Sequence, residues 1–395
     1  MIIYGALVIP IVAAIYLYLY HREEVQIWKF AVILVFGFGC VIGSKFLVQK
    51  VATSDTEYWT GWATVTEYYE RWDERVPCVH ETCTTTSTNS DGSTNKSCTK
   101  DHAYDVDDHP PYWQIVDSNG ITVRVGEDDY SGLVKRWGKG PRFVDLNRHY
   151  HSIDGDKYVA DWPGTDETLE AVTTSHTYEN RVQASTSVFN FPEVENPKAL
   201  GLFDYPGIGG HYTMASILGP SVPGKPEAER KLSLANAKLG RMKQVRMWIL
   251  IFKDQPSDVA YQQEAYWKRG NKNEFVLVIG IDTKNNLQWA YPFSWTEVES
   301  LKIGARNFLE EKKGEQLDLV AVVDWLKDNV AKTWVRKQFK DFSYLTVEPP
   351  TWAVVLAYIA NIIVTAGISI WAVMNRYTDK PRFDFGGFRS RGRYR

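Results

Sequence analysis

Three stretches without a charged side chain constrain this chain more than anything else in it. The first, IIYGALVIPIVAAIYLYLY, runs from Ile2 to Tyr20, and a helix of that length crosses a hydrocarbon core of roughly 30 Å. The second, FAVILVFGFGCVIGS, is uncharged from Phe30 to Ser44 and continues past Lys45 into Phe46, Leu47 and Val48. An ammonium on a long stem reaches the interface, so this span extends over about 28–48. The third, TWAVVLAYIANIIVTAGISIWAVMN, lies behind Pro349 and Pro350, carries Trp352 and Trp371 near its ends, and has Asn361 as its strongly polar interior residue. A cleaved secretory signal is the competing reading of the N-terminus. The uncharged start and the second apolar run close behind it favour a transmembrane hairpin over residues 1–49, with a third transmembrane helix over 350–375.

Positive charge beside the spans sets their orientation. The segment 376–395, RYTDKPRFDFGGFRSRGRYR, carries Arg376, Lys380, Arg382, Arg389, Arg391, Arg393 and Arg395 against Asp379 and Asp384. By the positive-inside tendency this tail is cytoplasmic. The loop at His21–Lys29 is then inside as well, and residues 50–348 form one extracytoplasmic insert, periplasmic, luminal or extracellular. Lys45 and Lys50 pull weakly the other way. Arginine interleaved with Phe, Tyr and Gly is a composition that stacks on single-stranded RNA, but beside a membrane attraction to anionic lipid is the stronger expectation. A net charge of -3 excludes a globally basic nucleic-acid binder.

Residues 50–198 read as a β-rich domain. YWTGWATVTEYY (58–69) and YWQIVDSNGITVRV (112–125) are rich in aromatic and β-branched residues, and Ser118-Asn119-Gly120 turns the second into a hairpin. Between them, over about 78–102, CVHETCTTTSTNSDGSTNKSCTKDH centres on a turn signature at 89–92 with Thr/Ser-rich arms. Arms polar on both faces belong in solvent, so the expectation is a projecting hairpin. Its cysteines allow a disulfide, a metal site or free thiols. Cys78, Cys83, Cys98 and His102 are spaced C-x4-C-x14-C-x3-H, which can close a tetrahedral Zn2+ site. An oxidising compartment instead favours a disulfide between Cys83 and Cys98, which stand opposite each other across the turn, and this ranks first.

A short amphipathic helix is expected at Ser131–Trp137, followed by the polar stretch RHYHSIDGDKY (148–158). His149 and His151 would share a strand face and, with His176, offer three metal ligands; a polar strand ending in a turn is the simpler reading. TYENRVQASTSVFNFPEV (177–194) reads as a strand and 199–225 as a Gly/Pro-rich linker.

From Pro226 helix and strand alternate. PEAERKLSLANAKLG reads as a helix, VRMWILIF (245–252) and FVLVIGI (275–281) as buried strands, and PSDVAYQQEAYWKRG as the helix joining them. Two apolar strands joined by a helix make a βαβ unit, which requires parallel strands covered on both faces. LQWAYPF should return antiparallel, and Thr296–Lys312 and Asp318–Phe339 should close an α/β/α layer over 226–345.

This order of elements, carried by QVRMWILIF, VAYQQEAYW and NEFVLVIGID, resembles the TPM domain of membrane-anchored bacterial and thylakoid-lumen proteins over about 226–341. The resemblance implies an extracytoplasmic α/β/α fold. It also implies phosphatase-like activity, as in some members, or membrane-complex maintenance and cation binding, as in others. PEAERKLS stands where the family has an opening acidic segment, and no glycine-rich turn follows the third strand.

Independently of any family, ligands of parallel α/β sheets collect beyond the carboxyl ends of the strands, where Asp254 and Asp282 sit. Their carboxylates would suit a hard cation, Ca2+ or Mg2+, although an Asp also caps helices and opens turns. Asn271, Lys272 and Asn273 would line a neighbouring polar site. With no Ser/His/Asp order, P-loop or HExxH in the sequence, the expected function is a membrane-anchored α+β scaffold or binding protein. It would recognise partner proteins or envelope components, or a second copy of itself. The alternative is a TPM-like metal-dependent phosphatase.

Overall fold

A computed structural model describes residues 2–21, 25–77, 81–88, 94–100, 102, 104–143, 156–162, 169–185, 191–347 and 350–375. In chain order the elements begin with α1 Val8–His21 and α2 Ile27–Thr53. The strands β1 Ser54–Tyr69, β2 Trp72–Pro77, β3 Glu81–Thr88, β4 Thr94–Lys100, β5 Tyr104–His109, β6 Tyr112–Asp117 and β7 Thr122–Val125 follow. Next come α3 Glu127–Trp137, β8 Arg142–Phe143, β9 Lys157–Asp161, β10 Ala171–Glu179 and α4 Arg181–Ala184. The remainder is β11 Ile217–Leu218, α5 Lys225–Lys243, β12 Arg246–Lys253, α6 Asp258–Tyr266, β13 Glu274–Ile281, β14 Leu287–Ser294, α7 Glu299–Glu310, α8 Leu319–Thr333 and α9 Thr351–Met374. The chain divides into two compact units.

One unit gathers Met1–Asp55, Tyr178–Asn190 and Phe339–Arg395. It holds three helices long and apolar enough to cross a membrane, Ile3–His21, Ile27–Thr53 and Thr351–Met374. They pack through close contacts and a few satisfied polar groups, the usual currency of helix association in lipid. A Cβ on Gly37 of α2 would lie 2.4 Å from Pro10 Cβ. The Asn361 amide, fully buried, donates to the Ala6 carbonyl at 2.7 Å, and Thr365 donates to Asn361 Oδ1 at 3.2 Å. Lys29, also buried, donates to the Asn375 carbonyl at 2.6 Å and lies within 6 Å of the Trp28 and Trp371 rings. The short mid-chain segment is tied to the same unit: Asn180 N–H donates to the Thr53 carbonyl at 2.6 Å, and Tyr178 and Asn180 both donate to Asp55.

The other unit comprises Thr56–Thr177 and Phe191–Gln338. Its β-rich half is a six-stranded sheet in the order β7-β6-β1-β9-β8, with β10 also paired to β1. The turn at Ser118-Asn119-Gly120 joins β6 to β7, with Gly120 at φ 80°. Asp117 makes the turn, accepting from the Asn119 and Ile121 N–H groups at 2.8 Å. Two further ribbons pair antiparallel, β2 with β5 and β3 with β4, the latter with Cys83 opposite Cys98. The turn residues 89–93 between β3 and β4 lie outside the described residues, as do Cys78, His149 and His151.

The α/β half is a four-stranded sheet, β11-β12-β13-β14, with the first three strands parallel and β14 antiparallel. Met247, Ile249 and Ile251 of β12 face one core with Phe275, Leu277 and Ile279, under α5, α7 and α8. Trp248, Leu250 and Phe252 face the other with Val276 and Val278, under α6 and the segment carrying Leu202 and Met214. Burial on both faces explains why these strands are continuous apolar runs.

Several boundaries differ from those the sequence predicts. The short helix begins at Glu127, because three acidic residues and Tyr130 supply its first turn. The expected strand at 177–194 ends at Glu179: Asn180 caps α4 by accepting from Gln183 N–H at 3.1 Å. Residues 199–225 do more than connect, since Leu202, Tyr212, Met214 and Ile217 are buried and β11 adds a strand to the sheet. Glycines at positive φ (201, 210, 219 and 224) turn the backbone so that the apolar residues between them reach the cores.

Candidate functional site

The two halves of the larger unit meet along buried polar contacts and around one large cavity. Asn273 donates to the Tyr58 carbonyl at 2.8 Å, Arg336 holds Glu57 with contacts of 2.5 and 2.6 Å, and Lys272 approaches Glu57 at 3.6 Å. Helix α5 lies so close to β1 that a Cβ on Gly240 would stand 2.1 Å from the Thr60 carbonyl oxygen. At the centre is Arg246, the first residue of β12 and fully buried. It donates to Thr60 Oγ1 at 2.6 Å, to Thr173 Oγ1 at 3.3 Å and to the Met214 carbonyl at 3.2 Å, and lies over the Trp248 ring at 4.3 Å. Among the described residues no carboxylate forms a salt bridge with it, and its Nε has no hydrogen-bond partner. Burial holds this guanidinium down to about 9, still a cation at neutral pH.

Beside Arg246 opens a cavity of about 880 Å³. α3 contributes Arg136 and Trp137, the start of β10 contributes Ala171 and Thr173, residues 213–215 form one side, and the first turns of α5 bring Pro226, Glu229, Arg230, Ser233 and Leu234. Glu229 accepts the Ser216 and Ile217 N–H groups at 2.5 and 2.7 Å, pinning α5 to β11. Burial pushes its carboxyl up, and the two backbone donors and Arg246 only partly oppose this. Glu170 accepts from Arg136 at 2.7 Å and from the Tyr212 hydroxyl at 3.3 Å. Burial, with Glu170 second, raises that phenol well above its ordinary range.

The residues singled out from sequence fall elsewhere. Asp282 is committed to its own turn: one oxygen accepts the Lys284 and Asn286 N–H groups at 2.8 Å, and the other accepts Asn286 Nδ2 at 3.0 Å. These backbone donors hold its carboxyl below the usual range. Asp254 is exposed with φ 54°, its N–H bonded to the Ile281 carbonyl. Asn271 is buried; its N–H donates to Glu274 at 2.8 Å and its amide to Tyr205 at 3.0 Å. Lys272 and Asn273 reach across to Glu57 and Tyr58 of the β-rich half, whereas the bonds of Asn271 stay within the α/β half.

Cys83 and Cys98 are joined as a disulfide. Among the described residues the one group of three metal-ligating side chains is Glu81, Cys83 and Cys98, all exposed, but bonded sulfurs offer no thiolate to a metal. His102 pairs with Asp105. His176 stacks on Trp59 at 4.0 Å, and burial lowers its basicity.

Arg136, Glu170, Glu229, Arg230 and Arg246 are not singled out by sequence reasoning, because they come from four separate segments. The one local signal is an arginine opening an otherwise apolar strand, RMWILIF, where an aliphatic residue would serve packing better. No family model matches the chain, and no curated protein or solved structure shows a significant match to it.

Proposed function

We propose that this chain is a membrane-anchored binding protein whose larger unit lies outside the cytoplasm and recognises a partner protein or an envelope component. The observation that carries this reading is the 880 Å³ cavity, which lies within the size range of small-molecule sites and combines apolar walls with convergent charged groups. The outward orientation is supported by the Cys83–Cys98 disulfide, a bond that persists in oxidising compartments, and by the basic tail. The parallel strands β12 and β13 joined by α6, with β14 returning antiparallel, support the order of elements on which the TPM resemblance rests, and β11 adds a further parallel strand. A metal-dependent phosphatase centred on Asp254 and Asp282 is the less favoured reading, since both Asp282 oxygens already serve a turn.

Two measurements test the proposal. The full chain in detergent, given Mg2+ or Ca2+ and a chromogenic phosphate monoester, should show no hydrolysis; turnover abolished by Asp254→Ala would install the enzymatic reading instead. In intact cells, an impermeant reductant and thiol label should reach Cys83 from outside while a reporter at Arg395 reads inside. Labelling from the cytoplasmic side alone would overturn the topology.

A further inference from the structure

We propose that the groove between α1 and α9 holds one acyl chain of a glycerolipid, whose ester carbonyl accepts a hydrogen bond from Ser369. The site is separate from the cavity of the larger unit and rests on the reading of α1, α2 and α9 as membrane-spanning.

The shape of the groove is the first reason. It encloses about 470 Å³, with walls that run from Ile9 to His21 on α1 and from Ile362 to Met374 on α9. At about 1.5 Å of rise per residue each wall is about 18 Å long, which leaves a mean cross-section of roughly 26 Å². A helix clad in side chains is about 10–12 Å across, a section of roughly 80–110 Å², so no neighbouring helix enters this groove. A single polymethylene chain does. The space exists because Ala13 on one wall and Thr365 and Ala366 on the other stand where larger side chains would close it.

The second reason is the character of the walls. Ile9, Leu17, Ile362, Ile370 and Val373 present apolar surface along the groove. Ordered water needs two or more polar partners, which such walls do not supply. A hydrocarbon chain instead gains dispersion contacts along its whole length.

The third reason is Ser369. Its Oγ is buried at the groove and, among the described residues, has no hydrogen-bond partner. In hydrocarbon a hydroxyl is costly until it finds an acceptor. Thr365, one turn earlier, is already bonded to Asn361 Oδ1. The depth of Ser369 suits an ester. Helix α9 has 24 residues, about 36 Å against a hydrocarbon core of roughly 30 Å. Ser369 lies about 7–8 Å before Met374, the last residue of that helix, and so just inside the apolar border where the carbonyls of a glycerolipid sit. The chain then runs toward Ile9 and Ile362, and the lipid belongs to the leaflet on the His21 side.

The test uses the full chain in detergent and native mass spectrometry, with titration of dioleoyl phosphatidylcholine and of its dialkyl ether analogue, which lacks the carbonyls. One diester lipid should bind saturably, ahead of weaker additions, and roughly threefold or more tighter than the ether analogue. Ser369→Ala should bring the diester to the ether value and leave the ether unchanged. Ala13→Leu and Ala366→Leu fill the groove from opposite walls and should each weaken both lipids roughly tenfold, so that misfolding of one variant leaves the other to decide. Val35→Phe, on the exposed face of α2, should change neither. Diester and ether bound alike would overturn the Ser369 contact. Lipid binding without a saturable first site, or indifferent to both leucine variants, would overturn the groove as a lipid site. A full chain that stays dispersed with neither detergent nor lipid would overturn the membrane-spanning reading itself.

Discussion

Removing the Arg246 side chain would take the cationic donor from the Thr60 and Thr173 hydroxyls, which keep each other at 3.3 Å, and from the Met214 carbonyl. Arg246→Met keeps most of the volume, so the loss it reports is hydrogen bonding. We expect the larger unit to lose about 2–4 kcal/mol in denaturant titration; an unchanged midpoint would mean that the buried cation contributes nothing net. Glu229 gives a pH signature. Its folded carboxyl holds a proton more tightly than in the unfolded chain, so the associated stability is fully present below the ordinary glutamate range and is lost as pH rises through the folded value. Glu229→Gln should flatten that decline in Tm. Asp282 has the opposite sign: its contribution is present above the ordinary aspartate range and lost as pH falls through a depressed value, so Asp282→Asn should remove stability at neutral pH but not in strong acid.

At the scale of elements, α5 and the β3–β4 ribbon make contrasting demands on sequence. Gly240 lies inside a helix, where alanine is ordinarily better by roughly 0.5–1 kcal/mol. Here a Cβ would meet the Thr60 carbonyl oxygen at 2.1 Å. Gly240→Ala should therefore destabilise, by about 1–3 kcal/mol, and a rise in Tm would show that β1 yields easily. The ribbon relies on its crosslink instead. Its described residues around the cysteines are exposed, and a bridge between positions separated by 15 is worth about 3 kcal/mol of chain entropy. The Cys83→Ser, Cys98→Ser double variant should become sensitive to protease within 81–100 while the thermal transition of the α/β core stays in place.

Taken as a whole, the molecule is legible in its sequence where one segment decides its own fate. The apolar helices follow from length alone, and the parallel pairing of β12 with β13 follows from two apolar runs joined by a helix, as observed in register from Arg246–Glu274 to Lys253–Ile281. The β6–β7 hairpin follows from Ser-Asn-Gly. Illegible are the pieces whose reason is tertiary. The two residues of β11 are too few to show any periodicity, and the buried role of 199–225 is hidden by its turn residues. The cavity depends on Arg136, Glu170, Glu229 and Arg246 meeting across more than a hundred residues. Asp254 and Asp282 attract notice because strand ends are where ligands gather, yet a turn explains Asp282 fully.

The fastening of α9 to the earlier helices also sets an order of events during synthesis. Asn361 reaches back to Ala6, and Lys29 waits for the carbonyl of Asn375. At about 5–20 residues per second, roughly 300 residues between the second and third apolar helices take the ribosome on the order of 15–60 s. Throughout that interval the first two helices exist without the third, with an ammonium that has not met its acceptor. A crosslink engineered between α2 and α9 should therefore appear in a pulse-chase only after the whole intervening unit has been made, and its appearance earlier than release of α9 from the ribosome would contradict that order. Completion of the three-helix unit is a late step, and any factor that guards the unfinished pair of helices has on the order of 15–60 s in which to act.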